Sequence, residues 1–241
     1  MTRRRWIADT WTATTASLTG DQAAHLSRVL RAEPGQIYDV VSNGFLHRAE
    51  ILTVSDNEVL FTLHEELESD AALPLHLLLA VFKFDHMEWA IEKATELGIA
   101  KITPILARRT EKHLAQSALK RTERWRRIVL EASKQSRRTD IPEIADPLAL
   151  KQALAEEKSP TRILLSETEQ TLTLTAALKA ATSSQQETDT ALAIGPEGGW
   201  TPEEMSLFTQ HQWQPVTIGP RILRAETAAI AAIAIASTHL S

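Results

Sequence analysis

Two short apolar runs, Ala191-Leu192-Ala193-Ile194 and Val216-Thr217-Ile218, each pass directly into a Gly-Pro loop, and that pairing restricts the fold more than any other feature of the chain. Both runs have the length and composition of buried strands. Gly195-Pro196-Glu197-Gly198-Gly199-Trp200 follows the first, and Gly219-Pro220-Arg221-Ile222-Leu223-Arg224-Ala225-Glu226-Thr227 follows the second. A helix start follows each loop. Ligands in open α/β sheets bind at such strand-to-helix turns.

Three glycines in the first loop let its backbone adopt positive φ and approach a ligand without a Cβ in the way. Thr201 then caps a helix, Pro202 suits its first position, and Glu204 completes a capping box. The acidic residues at this helix start already occupy the positive end of the dipole, which argues against a phosphate there. The loop has no Lys and no GxGxxG spacing, so neither common nucleotide motif is present. Taken alone, it is also compatible with a plain connecting turn. In the second loop Arg221, Arg224 and Glu226 abut Thr227–Ala236, a stretch apolar on nearly all sides that should be buried. Charges beside a buried helix are costly unless paired or functional. An Arg–Glu ion pair and a working site both satisfy that condition.

Net charge is −5, yet residues 101–138 carry twelve Lys or Arg against three Glu, so this segment is +9 and the remainder −14. A local basic patch on an acidic chain is a footprint for a polyanion, although a solvated helix face has the same composition. There is no cysteine, which excludes disulfides, a thiol nucleophile and thiolate metal sites, and the scattered histidines have no metal-ligand spacing. No apolar run follows the basic Met1-Thr2-Arg3-Arg4-Arg5, so no signal peptide is expected. The C-terminal apolar helix falls short of the about 20 residues a membrane span requires. A cytoplasmic protein is expected.

From the N-terminus, residues 36–41, 46–52 and 58–63 read as strands, with turns at Ser42-Asn43-Gly44 and Ser55-Asp56-Asn57 and one helix from about Thr19 to Leu30. This predicts a small β-barrel over residues 1–70. His25, Arg28 and Arg31 lie three apart, as on a helix face that meets phosphate. Glu65 to Ala72 reads as an acidic linker without strand pattern. Beyond it, Leu75–Phe82 reads as a buried parallel strand, then a helix capped by Asp85 with Glu88, apolar at Met87, Ile91 and Ala94, and ended by Gly98. Ile102–Leu106 is the next strand, where Pro104 predicts an edge or a bulge. Leu119 to Arg137 reads as a long helix with Trp125, Ile128, Val129 and Ala132 inward. Further strands are expected at Arg162–Leu165, Ala191–Ile194 and Val216–Ile218, and a surface loop at Thr182–Thr188. Residues 73–241 therefore form an α/β domain with a mostly parallel sheet.

IGPEGGWTPEE, followed about two dozen residues later by IGPRILRAETA, resembles the SPOUT class of S-adenosylmethionine-dependent RNA methyltransferases. More narrowly it is similar to the bacterial ribosomal RNA small subunit methyltransferase E family, which methylates a 16S rRNA uridine at its ring N3. MEWAIEKATELGIAKITPI at 87–105, RWRRIVLEASKQSRR at 124–138 and HLSRVLRAEPGQ at 25–36 extend the likeness over essentially the whole chain. The resemblance implies a PUA-like RNA-binding barrel, then a SPOUT domain with a C-terminal trefoil knot. It also implies a homodimer, with the apolar C-terminal helix as interface, acting in ribosome biogenesis on 16S rRNA without metal or membrane. The cofactor, S-adenosyl-L-methionine, would be held by Leu165 and Ser166 with Glu167 in the first knot loop. The other two knot loops would add Ile194, Gly195, Pro196, Glu197, Gly198 and Gly199, and Ile218, Gly219, Arg221, Ile222 and Leu223.

For catalysis, Glu197 and Glu226 are the carboxylates able to assist loss of the imino proton, and their roles stay open between them. Arg221 or Arg224 would steady the uracil as it becomes anionic, or hold a phosphate. Arg28, Arg31, Arg124, Arg127, Arg137 and Arg138 are the candidate RNA contacts. Three departures from the family pattern bear on RNA contact: Gln135-Ser136-Arg137-Arg138 where the family often has Gln-Ser-Gly-Arg, Ala225 in place of Thr, and Lys83-Phe84-Asp85-His86 for Lys-Gly-Asp-Lys. A non-catalytic RNA-binding or ribosome-assembly factor on the same fold, or an enzyme acting on another nucleotide, are the alternatives.

Overall fold

The computed structural model describes residues 5–68, 72–183 and 189–240. The basic start at Met1–Arg4 and most of the polar loop expected at Thr182–Thr188 lie outside the described residues. The chain divides into two compact units, residues 1–71 with 133–141, and residues 72–132 with 142–241.

The first unit is built on β1 (Arg5–Ile7), β2 (Thr10–Trp11), β3 (Thr15–Thr19), β4 (Ile37–Ser42), β5 (Phe45–Val54) and β6 (Glu58–Leu67), in the order β1-β4-β5-β6-β3-β2. The edge strands β1 and β2 are neighbours in sequence. Ala8 donates its N–H to Val41 of β4 at 2.8 Å, and Asp9 donates to Ser17 of β3 at 2.9 Å. A flat sheet would put those edges roughly 24 Å apart, at about 4.8 Å per strand. The three peptide steps from Ile7 to Thr10 reach only about 11 Å, so the sheet must roll. Trp6, Leu18, Val40, Ala49, Ile51, Val59 and Phe61 fill the roll. The β4–β5 hairpin turns on Asn43 and Gly44, both at positive φ (51° and 83°), as a two-residue primed turn demands.

Three expectations change here. The helix α1 (Gly20–Ala24) passes into a π-helical turn, His25–Val29, where Leu30 donates to the carbonyl of His25 at 3.0 Å. That turn is wider than an α-turn, and Arg31 lies beyond it at φ +49°, so His25, Arg28 and Arg31 do not form a stripe on one helix face. The acidic stretch from Glu65 begins as strand, because β6 runs on to Leu67 and pairs Glu66 with His47 and Leu67 with Leu46. Short strands β1 to β3 carried too few residues to show a period of two.

The second unit holds an all-parallel sheet of β7 (Leu73–Ala80), β8 (Ile99–Leu106), β9 (Glu143–Ile144), β10 (Leu148–Ala149), β11 (Thr161–Leu165), β12 (Thr190–Ile194) and β13 (Gln214–Val216), ordered β10-β8-β7-β12-β11-β13 with β9 also on β8. Its helices are α2 (Phe84–Glu96), α3 (Lys112–Ser136), α4 (Leu150–Glu156), α5 (Leu174–Thr182), α6 (Pro202–Gln210) and α7 (Ala225–Leu240). Alternate side chains of β7 separate the two faces. Leu75, Leu77 and Leu79 join one core with α2, α3, α5 and α7, whereas Leu78 joins another with Leu154 of α4, Phe208 of α6 and Trp213. Burial on both faces explains why the strands read as continuous apolar runs.

Pro104 sits inside β8, opposite Leu79 of β7. Ile102 faces β9, accepting from Ala145 at 3.0 Å, so Pro104, two residues on, faces the same way. There the partner is interrupted between Ile144 and Leu148, and the missing N–H meets a gap in the ladder. Helix α2 begins one residue before Asp85. Its N-cap is Lys83, whose carbonyl accepts from Met87 at 2.9 Å, and Asp85 is an exposed residue of the first turn rather than the cap. Gly98 ends it at φ +95° as expected. Strand β13 stops at Val216, leaving Thr217 and Ile218 to the loop.

Candidate functional site

The strands β11, β12 and β13 stand side by side and end together, so the loops that follow them converge. They enclose a cavity of about 540 Å3 with the start of α2 and the start of α7. Leu165, Ser166, Ile194, Gly195, Pro196, Glu197, Gly199, Ile218, Gly219, Arg221, Ile222 and Leu223 all line it, as does Arg224. Twelve of the thirteen positions expected to hold the cofactor thus meet in one space, although they span almost sixty residues of chain.

The thirteenth, Gly198, points elsewhere. Its carbonyl accepts a hydrogen bond from Arg109, whose guanidinium also reaches the carbonyl of Trp200 at 3.4 Å. A Cβ at Gly198 would lie 3.2 Å from Arg109 Cδ, so a side chain there displaces Arg109 rather than a ligand. At Gly199 the constraint is double. Its φ is +70°, and a Cβ would come within 2.9 Å of Glu167 Oε1. Nothing in the sequence spacing pointed to Arg109, which lies 89 residues from Gly198.

The helix after the loop is fixed as its sequence predicts. Thr201 accepts from the Glu204 amide at 3.3 Å, and the Glu204 carboxylate accepts from the Thr201 amide at 2.9 Å. Glu204 is buried, and its second oxygen accepts from the Arg108 amide at 2.8 Å. One carboxylate therefore ties α6 to the β8–α3 turn. The loop after β11 is closed by Glu169. Its carboxyl is pulled down to about 2 by the Thr171 hydroxyl and then by the Leu172 and Thr171 amides.

The third loop has its amides open. Among the described residues, the amides of Arg221, Ile222 and Leu223 donate no main-chain hydrogen bond within the protein, and Ile222 is 83% exposed. Among the described residues, the indole N–H of Trp200, which borders the same cavity, is sealed and has no partner. The open amides of the third loop beside apolar walls (Leu165, Ile194, Ile218) are what a polar ligand with an apolar body requires.

Of the candidate catalytic residues, Glu197 is exposed at the rim and Arg224 is exposed on the wall. Glu226 does not reach the cavity. It is 5% exposed, and no ion pair to Arg221 or Arg224 is formed among the described residues. Its partner is His86, whose Nδ1 lies 3.1 Å from Glu226 Oε1. His86 and Lys83 line the cavity from α2.

The candidate RNA contacts fall into two groups. Arg28 is paired with Asp56 at 2.9 Å, Arg124 with Glu88 at 2.8 Å, and Arg138 with Asp140 in a nearly sealed position. Arg31, Arg127 and Arg137 are exposed. Pairing also reduces the basic patch: Lys101 meets Glu143 and Arg126 meets Asp146, at 3.1 and 3.0 Å.

Comparison with known proteins follows the same lines. The RNA methyltransferase domain family matches residues 69–237. A Synechocystis protein named ribosomal RNA small subunit methyltransferase E is 38% identical over 225 residues, covering 91% of this chain and 72% of its own length. A protein of that name from Bacillus subtilis is 31% identical over 227 residues, covering 92% and 89%. The crystal structure of a Neisseria gonorrhoeae protein of that name, bound to S-adenosyl methionine, superposes with a TM-score of 0.82 at 27% identity, over 98% of this chain and 97% of that one.

Proposed function

We propose, from the premise that this chain belongs to the ribosomal RNA small subunit methyltransferase E family, that it methylates a uridine of 16S rRNA at the ring N3, using S-adenosylmethionine. The observation that carries this reading is the convergence of three loops from β11, β12 and β13 on one cavity. Its volume lies within the roughly 300–1,000 Å3 typical of small-ligand sites. The residues present fit the cofactor. Open amides at Arg221–Leu223 suit its polar ends, and Leu165, Ile194 and Ile218 suit an adenine ring. When bound, the cofactor supplies an activated methyl on a sulfonium.

The protein's own part is positioning. Arg109 fixes the carbonyls of Gly198 and Trp200, and Glu204 fixes the helix behind them, so the loop is set before ligand arrives. Arg221 and Arg224 present positive charge at the mouth, suited to a uracil becoming anionic or to a phosphate. Residues 1–70 serve as the PUA-like RNA-binding domain and 73–241 as the knotted methyltransferase domain. The working form is a cytoplasmic homodimer. Trp89, 49% exposed, stands with Ile230, Ala231 and Ala234 along an apolar groove between α2 and α7 that supports this assembly.

Calorimetric titration of S-adenosylmethionine, followed by mapping of N3-methyluridine in 16S rRNA incubated with the protein, tests the reading. Saturable binding and a single new modified uridine are expected. Binding without modification of any ribosomal RNA would leave a non-catalytic factor as the better account.

A further inference from the structure

We infer that His86, held by the buried carboxylate of Glu226, accepts the imino proton of the target base; this rests on the methyltransferase reading above. The side chains lining the cavity include six ionisable ones: Lys83, His86, Glu167, Glu197, Arg221 and Arg224. Lysine and arginine present donors only when charged, so they cannot take a proton. That leaves two carboxylates and one imidazole. An ordinary imidazole is a stronger base than an ordinary carboxylate by about two pKa units, and it is the better match to a weakly acidic ring N–H near neutral pH.

The surroundings of His86 select one of its two nitrogens. Nδ1 is sealed from solvent and lies 3.1 Å from Glu226 Oε1, off the line of a full hydrogen bond. Glu226 is itself sealed, so it cannot touch RNA; among the described residues Oε2 has no hydrogen-bond partner and the imidazole is the one group paired with the carboxylate. A carboxylate behind Nδ1 keeps the proton there and leaves the lone pair on Nε2, the nitrogen on the open side of a ring whose side chain is 32% exposed. The same carboxylate stabilises the imidazolium once it forms. Asp85 Oδ2, 3.8 Å from Nε2, is 79% exposed and screened by water. Lys83 beside α2 and Arg221 and Arg224 on the third loop are the cations that share the cavity with the ring.

The step balances. The ring N–H bond breaks, its proton passes to His86 Nε2, and the electron pair stays on the ring nitrogen. That pair forms the new N–C bond as the carbon–sulfur bond breaks, leaving its electrons on a neutral thioether. The imidazolium then returns its proton to water. Glu226 acts through His86 and is a positioning residue.

The test is single-turnover methylation of 16S rRNA at saturating cofactor, across pH, for the wild type and for His86→Gln, His86→Lys and Glu226→Gln. Alongside it, the His86 ring is titrated by NMR in the wild type and in Glu226→Gln, both saturated with S-adenosylmethionine. The wild-type rate should rise with pH through one titration whose midpoint equals that of the ring. His86→Gln should lose about 10²–10⁴-fold. Glu226→Gln should lower the NMR midpoint and the kinetic midpoint together. His86→Lys installs the Lys that the family pattern has at this position and keeps a cation beside Glu226, but it has no lone pair near neutrality, so in this chain its rate should recover only at alkaline pH. A wild-type rate and profile in His86→Lys would show that only a cation is needed and would overturn the inference. So would His86→Gln within tenfold of wild type, or kinetic and NMR midpoints that disagree. A wild type that neither binds cofactor nor methylates fails the methyltransferase reading instead, and takes this inference with it.

Discussion

At Gly199 two independent constraints meet, a φ of +70° and a carboxylate oxygen where a Cβ would go. Gly199→Ala must both strain the backbone and push Glu167 from the cavity wall. We expect it to cost about 1–3 kcal/mol of stability and to weaken S-adenosylmethionine binding at least tenfold in calorimetry. Arg109→Ala should separate the two effects, because it leaves the backbone unstrained and frees only the carbonyls of Gly198 and Trp200. Affinity should fall while the thermal midpoint moves little. A second residue-scale case lies across the sheet, where Glu157 Oε2 is 2.5 Å from His76 Nδ1 and His76 Nε2 meets Thr103 Oγ1 at 2.8 Å. Burial pushes the Glu157 carboxyl up, but the adjacent His76 ring and the hydrogen bond from the Ser159 amide outweigh it and hold it at about 2. A depressed carboxyl stabilises the fold above its unfolded value near 4.5 and loses that contribution as pH falls toward 2. The gap in urea stability between wild type and Glu157→Gln should therefore be widest above pH 4.5 and narrow by pH 3.

Helix α6 shows what an element owes to its first residues. Thr201→Ala removes one cap and should cost about 1 kcal/mol. Glu204→Ala removes the reciprocal cap, the bond to the Arg108 amide and a buried side chain, so its cost should be at least twice as large in denaturant melts. An equal cost would mean that the tie to the β8–α3 turn contributes nothing. This helix was legible in the sequence because its signals are local: Thr, Pro and Glu at fixed offsets. The start of α2 was misread for the same reason, since Asp85 and Glu88 have capping-box spacing but Lys83 is the cap. Glu88 is drawn instead to Arg121 and Arg124 on α3, contacts made more than thirty residues away. The π-helical turn at His25–Val29 has no local signature, and β1 and β3 are held by pairings with β4 and β6, and β2 by its pairing with β3, that composition cannot show. In the cavity, the glycine loops announced themselves through apolar runs and turn residues. Arg109, Trp200 and the His86–Glu226 pair did not, because each is defined by a partner from a distant part of the chain.

For the molecule as a whole, charge distribution is the property most easily misjudged from sequence. The +9 counted over residues 101–138 overstates the field, because Glu88, Asp140, Glu143 and Asp146 lie outside that segment and neutralise Arg121, Arg124, Arg138, Lys101 and Arg126. Exposed guanidinium groups without an ion pair are the ones able to release counterions from RNA. On α3, Arg127 is exposed, and no ion pair of its side chain is formed among the described residues, whereas its neighbour Arg126 is held by Glu123 and Asp146. Phosphate contact by a free cation steepens the salt dependence of binding by about one unit of slope on logarithmic axes. Arg127→Ala should therefore flatten the slope for 16S rRNA binding by about one unit and weaken affinity most at low salt. Arg126→Ala should change the slope by less than half of that, since much of its charge is already answered within the fold. Fluorescence binding isotherms at several salt concentrations read both. Equal slopes for the two variants would mean that RNA competes successfully for the paired arginines, and the full +9 would then be the correct measure of the patch.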